Sequence, residues 1–250
     1  MALVKNKKNK TVFISGSSSG IGYGIAKRFM ELGFEIIING SNKKNLIKAS
    51  NSLCGCAYFV SDITNKKSIK SMVTKIKKKF RKIDYLICNY GNSNFKNNNE
   101  DFEYAFKHNF FSSINTIDCF FPLLKKNQSK IICISSICGI EMIKGAPFGY
   151  SVAKSAINGF VKAYSSKIAN LGISINAIAP GNIQFSGSVW DKKSKKNPIM
   201  VKNYIKANVP MNKLGFIEDI FSMCFYILSR SSNFLTGSVF VIDGGQTRRF

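Results

Sequence analysis

Short apolar runs alternate with helix-length segments along almost the whole chain, and this alternation limits the fold more than any other feature. Thr11–Ser15, Phe34–Asn39, Ala57–Val60, Ile83–Cys88, Lys130–Ser135, Ser174–Ile178 and Ser238–Ile242 read as strands. Several are almost continuously apolar, as parallel strands covered on both faces must be. Helical stretches fall between them at Gly20–Leu32, Asn42–Ser52, Lys66–Lys79, Asn99–Lys125, Gly149–Leu171 and Ile217–Ser229, with a further short helix over Pro198–Lys206. The order predicts an α/β fold: one doubly wound, seven-stranded parallel sheet with helices on both faces. No linker or repeat interrupts it, so residues 1–250 are expected to form a single domain. No apolar run approaches the roughly 18 residues of a membrane span. Met1–Lys10 is basic and lacks the apolar centre of a secretory signal. The expectation is a cytoplasmic protein with no membrane attachment.

The first strand runs into Ser15-Gly16-Ser17-Ser18-Ser19-Gly20-Ile21-Gly22 and then into helix. Gly16 permits a tight turn, Gly20 lets a pyrophosphate approach the backbone, and Gly22 lets the helix pack closely. The helix start offers unpaired N–H groups and the positive end of its dipole to phosphate. Gly16, Ser18, Ser19, Gly20, Ile21 and Gly22 are therefore expected to hold a dinucleotide. After the second strand comes Ile38-Asn39-Gly40-Ser41-Asn42-Lys43-Lys44, without an acid. A carboxylate there would bond a ribose 2′-hydroxyl and repel a 2′-phosphate. Ser41 with Lys43 or Lys44 favours the phosphate, so NADP(H) is preferred over NAD(H). The alternative is that both lysines merely begin a solvated helix.

Charge and reactive residues narrow the function classes. Lys plus Arg is 37 against 13 for Asp plus Glu, a formal net charge of +24. Yet 32 of those residues are Lys and 5 are Arg, beside 25 Asn and 32 Ile. Those abundant types share A/T-rich codons, and phosphate-reading sites favour Arg. Codon bias is preferred over polyanion binding, and no nucleic-acid partner is expected. The seven cysteines, odd in number and partly within apolar runs, read as free thiols of a reducing compartment. His108 is the single histidine, and no metal site or Ser-His-Asp hydrolase is expected.

Tyr150-Ser151-Val152-Ala153-Lys154 places a phenol and an ammonium four residues apart on one helix face. A free tyrosine titrates near 10, and a neighbouring ammonium favours the phenolate. Ser136, at the end of the fifth strand, is placed to hold a substrate oxygen against the tyrosine.

With these motifs in order, the chain resembles the short-chain dehydrogenase/reductase family over nearly its whole length, with Ser15 where that family most often has Thr. The resemblance implies a single-domain Rossmann fold and a catalytic tetrad of Asn109, Ser136, Tyr150 and Lys154. It further implies Asp62 at the adenine amino group with Ile63 beside the ring. Asn89 and Gly91 follow the fourth strand along the cofactor. Pro180 and Gly181 follow the sixth, and the Ile183 N–H meets the carboxamide. Tyr150 would donate the proton in carbonyl reduction, with Ser136 steadying the oxygen. Lys154 would lower the tyrosine pKa and bond the nicotinamide ribose, and Asn109 would hold a relay water. Two positions depart from the family: Tyr90 replaces a small residue, and Phe185 replaces a threonine, with Ser186 one place later.

The expected substrate lid spans about 183–212 and holds Phe185, Gly187, Trp190 and the cluster Lys192, Lys193, Lys195 and Lys196. The pattern is similar to that of 3-oxoacyl-[acyl-carrier-protein] reductases, so the expected substrate is a small carbonyl or secondary alcohol, with a 3-oxoacyl thioester on an acidic carrier protein favoured. A sugar or nucleotide-sugar oxidoreductase of surface-polysaccharide synthesis suits the same lysines. Trp190 either stacks on a ring or caps the lid's core. A non-catalytic nucleotide-sensing or polyanion-binding protein is the reading from another class. Family habit implies a homotetramer, with a dimer as the alternative, and interfaces on the last strand and on Asn99–Lys125 and Gly149–Leu171.

Overall fold

In the computed structural model the described residues are 10–92, 99–229 and 234–249, so most of the basic N-terminal stretch lies outside them. Seven strands form one parallel sheet in the order β3-β2-β1-β4-β5-β6-β7. They are β1 (Thr11–Ile14), β2 (Glu35–Gly40), β3 (Ala57–Val60), β4 (Tyr85–Cys88), β5 (Lys130–Ile134), β6 (Ser174–Pro180) and β7 (Val239–Ile242). Every residue of β1 is buried, while β3, at an edge, alternates between partly buried and exposed. The order reverses between β1 and β4, whose pairing runs Val12↔Tyr85 to Ile14↔Ile87. Open α/β sheets bind ligands at the carboxyl ends of strands where the order reverses. Ser15 and Asn89 leave β1 and β4 at that point.

Helices cover both faces. On one lie α1 (Gly20–Glu31), α2 (Lys43–Ser52) and α9 (Ile217–Leu228), whose Ile25, Phe29, Leu46 and Phe221 share a core with Val12 and Ile38. On the other lie α3 (Lys66–Phe80), α5 (Ser112–Phe120) and α6 (Phe148–Ile168), joined through Ile69, Ile76, Phe120 and Ile157 to Phe13 and Leu86. Each such fully buried side chain contributes roughly 1.5–3 kcal/mol. Helix α3 shows where the charge goes: Ile69, Met72 and Ile76 are buried and the lysines face outward.

The long helix expected over Asn99–Lys125 is broken. It comprises α4 (Asn99–Ala105), a π-helical turn at Phe106–Phe111, α5, and a 3-10 turn at Phe121–Leu123 with Pro122 in its first positions. The π turn has a local cause, because Asn109 is fully buried and its side-chain amide donates to the Ala105 carbonyl at 3.1 Å. A wider turn admits that competing donor.

Between β6 and α9 stand α7 (Val189–Lys196) and α8 (Pro198–Asn208). Helix α8 matches the expected short helix and runs two residues further. Helix α7 was not expected, since four lysines mask any apolar period. Its start is nevertheless written locally: Ser188 caps it by accepting from the Asp191 N–H at 3.0 Å. Asp191 sits at the positive end and Lys193, Lys195 and Lys196 at the negative end.

Candidate active site

A cleft of about 830 Å³ opens at the carboxyl ends of the strands. Its floor begins at the glycine turn, where Gly16 and Gly20 take φ of +61° and +63°, values that side-chain-bearing residues avoid. Ser19 caps α1 without a side-chain hydrogen bond to the helix start. The turn is knitted to its neighbours. Ser15 Oγ accepts from the N–H groups of Asn89 (3.0 Å) and Tyr90 (3.1 Å), and Asn89 Nδ2 donates to the carbonyls of Ser15 and Gly16 at 3.0 Å each. Gly22 lies behind the cleft, where a Cβ would collide with Asn89 Nδ2 and come 2.7 Å from the Gly16 carbonyl oxygen. Asn39, unremarked in the sequence, is buried and ties β2 to the end of β3 through Phe59 (3.1 Å) and Ser61 (3.2 Å).

Ser18, Ser19, Ile21, Ser41, Asp62, Ile63, Asn89 and Gly91 all line this half of the cleft with Gly16 and Gly20. Asp62 Oδ1 accepts from the Thr64 N–H and hydroxyl at 2.9 and 2.8 Å, which holds the carboxylate in a short Asx turn. Lys43 begins α2 and stands exposed, outside the lining; so does Lys44. Ser41, Asn42 and Asn45 form the rim instead.

At the other end, β5 and α6 bring Ser136, Tyr150 and Lys154 together on one wall. Lys154 is 3% exposed, and its Nζ donates to the Ile134 carbonyl at 2.8 Å. Burial brings its pKa down to about 8. The ammonium lies 5.6 Å from the centroid of the Tyr150 ring. Burial pushes the Tyr150 phenol upward, the Cys138 thiol adds to this, and a hydrogen bond with Ser136 only partly opposes it. The lowering expected from the lysine therefore does not prevail here; the phenol keeps its proton at neutral pH.

Asn109 does not line the cleft; it stands behind the wall. Its Oδ1 accepts from the Asn92 N–H at 3.0 Å and its amide donates to the Asn92 carbonyl at 2.9 Å. A Cβ on Gly91 would lie 2.8 Å from Asn109 Oδ1 and 3.2 Å from Lys154 Nζ. The bare glycine thus keeps open a gap shared by those two polar atoms.

Pro180, Gly181 and Ile183 complete the floor. Gly181 donates to the Ile242 carbonyl at 2.8 Å, and Ile183 pairs with Gly215 in an isolated parallel bridge. Phe185 turns in toward the glycine turn, its ring 3.3 Å from where a Gly20 Cβ would be. Trp190 lines the cleft from α7, its ring centroid 4.8 Å from that of Tyr204 on α8. The lid lysines lie outside the lining: Lys193 sits over the Trp190 ring at 4.9 Å and Lys195 pairs with Asp191 at 2.9 Å.

A turn with two left-handed glycines, an open helix start, an elongated cleft and a Ser-Tyr-Lys wall together suit a dinucleotide with its reactive ring beside the tyrosine. Comparison with known proteins agrees. Residues 16–247 match the family described as enoyl-(acyl carrier protein) reductase. The chain is 30% identical over 245 residues to the 3-oxoacyl-[acyl-carrier-protein] reductase FabG of Rickettsia prowazekii, covering 94% of this chain and 96% of that protein. It is 29% identical over 246 residues to FabG of Buchnera aphidicola, covering 96% and 98%. In fold it superposes on L-sorbose reductase from Gluconobacter frateurii, complexed with NADPH and L-sorbose, at a TM-score of 0.87, 22% identity and 98% coverage of both chains. Sequence and fold thus agree from end to end: the chain belongs to the short-chain dehydrogenase/reductase family, and is a nicotinamide-dependent oxidoreductase acting on CH–OH groups.

Proposed function

We propose that this enzyme reduces the keto group of a 3-oxoacyl thioester with NADPH, and that the thioester is presented on an acyl carrier protein. The observation that carries the reading is the shared wall of Ser136, Tyr150 and Lys154 in a cleft that continues to the glycine turn. The bound nicotinamide supplies the hydride that makes the new C–H bond. Tyr150 gives its proton to the carbonyl oxygen, which becomes the hydroxyl. A phenol held in its protonated form by burial suits a donor. Ser136 fixes the oxygen in line with Tyr150. Lys154 binds the nicotinamide ribose, and Asn109 holds the water in the gap beside Gly91 that returns a proton to the site.

Gly16, Ser18, Ser19, Gly20 and Ile21 hold the pyrophosphate, and Gly22 makes room for Asn89. Asp62 and Ile63 hold the adenine; Asn89 and Gly91 follow the ribose; Pro180, Gly181 and Ile183 meet the carboxamide. The acid-free rim at Ser41, with Lys43 free to swing inward, supports NADP(H) over NAD(H). An NADPH complex of the fold neighbour is consistent with it. Residues 183–212 act as a lid on one catalytic domain comprising the whole chain. Exposed Phe111 and Val152 on one side, and Tyr226 and Val241 on the other, suit the interfaces of a homotetramer, or of a dimer if one side alone is used. No helix among the described residues is long and apolar enough to cross a membrane. With that, the free thiols support a cytoplasmic place of action.

The test is NADPH oxidation, followed by absorbance, with acetoacetyl thioesters, keto-sugars and an enoyl thioester offered in parallel. Turnover of the 3-oxo thioester, at a kcat/KM at least tenfold above that with NADH, is expected. Preference for a keto-sugar would move the assignment to sugar chemistry. Reduction of the enoyl compound alone would overturn carbonyl reduction, and binding without any turnover would overturn catalysis.

A further inference from the structure

The C-terminal segment is tied to the cleft in a way that none of the roles above uses. Gln246 is only 7% exposed although it stands four residues before the end of the chain. A buried amide is retained only where both its ends find partners, and here both do. Its Oε1 accepts from Asn182 Nδ2 at 2.6 Å, and its Nε2 donates to the Tyr204 phenol oxygen at 3.1 Å. Asn182 follows Gly181 on the cleft floor. Tyr204 belongs to α8, and its ring packs at a 39° tilt against Trp190, which lines the cleft from α7. The same segment is anchored on either side. Asp243 accepts from the Thr247 N–H at 2.7 Å, and Glu141, in the stretch after Ser136, accepts from the Arg248 N–H at 2.7 Å.

Asn182 beside the cleft floor, Tyr204 of the lid helix α8 and Glu141 in the stretch beyond Ser136 thus converge on three consecutive residues, Gln246 to Arg248. Helix α7 itself brings little to hold Trp190, since none of its residues is buried. The ring packs against Tyr204 and under the Lys193 ammonium, and the Tyr204 hydroxyl is bonded by Gln246.

We propose that Gln246 is a positioning residue. Through Tyr204 it sets the place of Trp190 in the cleft wall, and so governs which groups next to the reacting carbonyl are accepted. The flat, largely apolar ring favours an acyl chain or another apolar substituent, and its fixed position limits bulk on that side. This selectivity rests on the proposed carbonyl-reductase reading; the placement of Trp190 does not.

Trp190 is the single tryptophan of the chain, so intrinsic emission reports on it alone. The experiment uses full-length Gln246→Leu, Tyr204→Phe and Gln246→Glu. The leucine removes both hydrogen bonds, and the phenylalanine removes only the hydroxyl while keeping the ring packed against Trp190. The glutamate retains an acceptor for Asn182 and accepts from the tyrosine hydroxyl. Acrylamide quenching of Trp190 is measured without substrate, and KM and kcat are then measured for short and long 3-oxoacyl thioesters and for NADPH.

Quenching is expected to rise about twofold in the leucine and phenylalanine variants and to return toward wild type in the glutamate variant. A buried hydrogen bond of ordinary strength corresponds to about a three- to tenfold change, which is expected in thioester KM with NADPH KM unchanged. Unchanged quenching in Tyr204→Phe would overturn the proposal, and so would equal losses toward NADPH and thioester. If Gln246→Leu does not fold, Tyr204→Phe decides alone. If the wild type turns over no carbonyl, the functional reading fails while the quenching arm still decides the placement of Trp190.

Discussion

The Tyr90 phenol oxygen lies 2.7 Å from Nδ1 of His108, joining the residue that follows Asn89 to the π turn that carries Asn109. Burial raises the Tyr90 phenol to about 12 and lowers the His108 imidazole, so at neutral pH a protonated phenol and an uncharged ring share the bond. The imidazole also stacks on Tyr104 at 3.9 Å between centroids. Tyr90, which departs from the family, lines the cleft and is braced from behind by the π turn. Tyr90→Phe keeps the ring beside the Gly16 turn and loses the bond, at a cost of about 1 kcal/mol. We expect Tm to fall by about 2–4 °C and NADPH to bind about two- to fivefold more weakly, read by thermal melts and nucleotide-fluorescence titration. Unchanged binding and melting would refute the brace.

His108 gives that brace a pH dependence. A histidine whose folded pKa is lowered binds fewer protons folded than unfolded, so its contribution is present above its ordinary value of 6.5 and is lost as pH falls below it. Melting temperature should therefore drop between about pH 6.5 and 5.5 more steeply in the wild type than in His108→Gln. Parallel curves would show that the imidazole is not the group responsible.

The tyrosine and lysine of α6 make separable predictions. Tyr150→Phe should reduce kcat by about 10²–10⁴-fold, the range for losing a general acid, while NADPH still binds. Lys154 titrates near 8 because it is buried. In the cofactor-free enzyme its charge is present below that pH and lost above it, so kcat/KM for reduction should fall as pH rises through about 8. A profile flat to pH 10 would remove the ammonium from the reaction.

What was legible in the sequence was what depends on neighbours along the chain. Gly16 to Gly22 and Tyr150 with Lys154 are close in sequence, and their spacing alone carries their meaning. The parallel sheet follows from the alternation of strands and helices, and the predicted strands match the observed ones to within two residues at each end. Residues whose partners lie far away were not legible. Asn39 matters because Phe59 and Ser61 close over it, and Gln246 because Asn182 and Tyr204 do. The π turn was hidden although its cause is local, since nothing in the sequence shows that Asn109 is buried and turned back onto the Ala105 carbonyl. Lys43 is a third case: its charge suits a phosphate, and the fold sets it exposed at the helix start next to the rim at Ser41 and Asn42.

Asp84 is a further residue of this kind, and its prediction concerns stability. It is 1% exposed at the start of β4, far from the cleft, and accepts from Lys10 and Lys125 Nζ at 2.9 Å each and from the Thr11 N–H at 3.0 Å. These contacts fasten β1, β4 and the segment leading into β5 at one point. Burial alone would raise its pKa; the Thr11 N–H and the two ammonium groups outweigh it and hold the carboxyl below 3.8. An acid with a lowered folded pKa contributes stability above its unfolded value, and that stability is lost as pH falls through the folded one. Asp84→Asn keeps the shape and removes the charge, at a cost of about 2 kcal/mol for charge-assisted bonds. The expected result is a Tm lower by about 4–8 °C at pH 7, with the gap closing as pH falls below about 4, and with kcat unchanged at 25 °C. A gap that does not narrow at all as pH falls below about 4 would mean that the substitution acts through packing and not through the carboxylate.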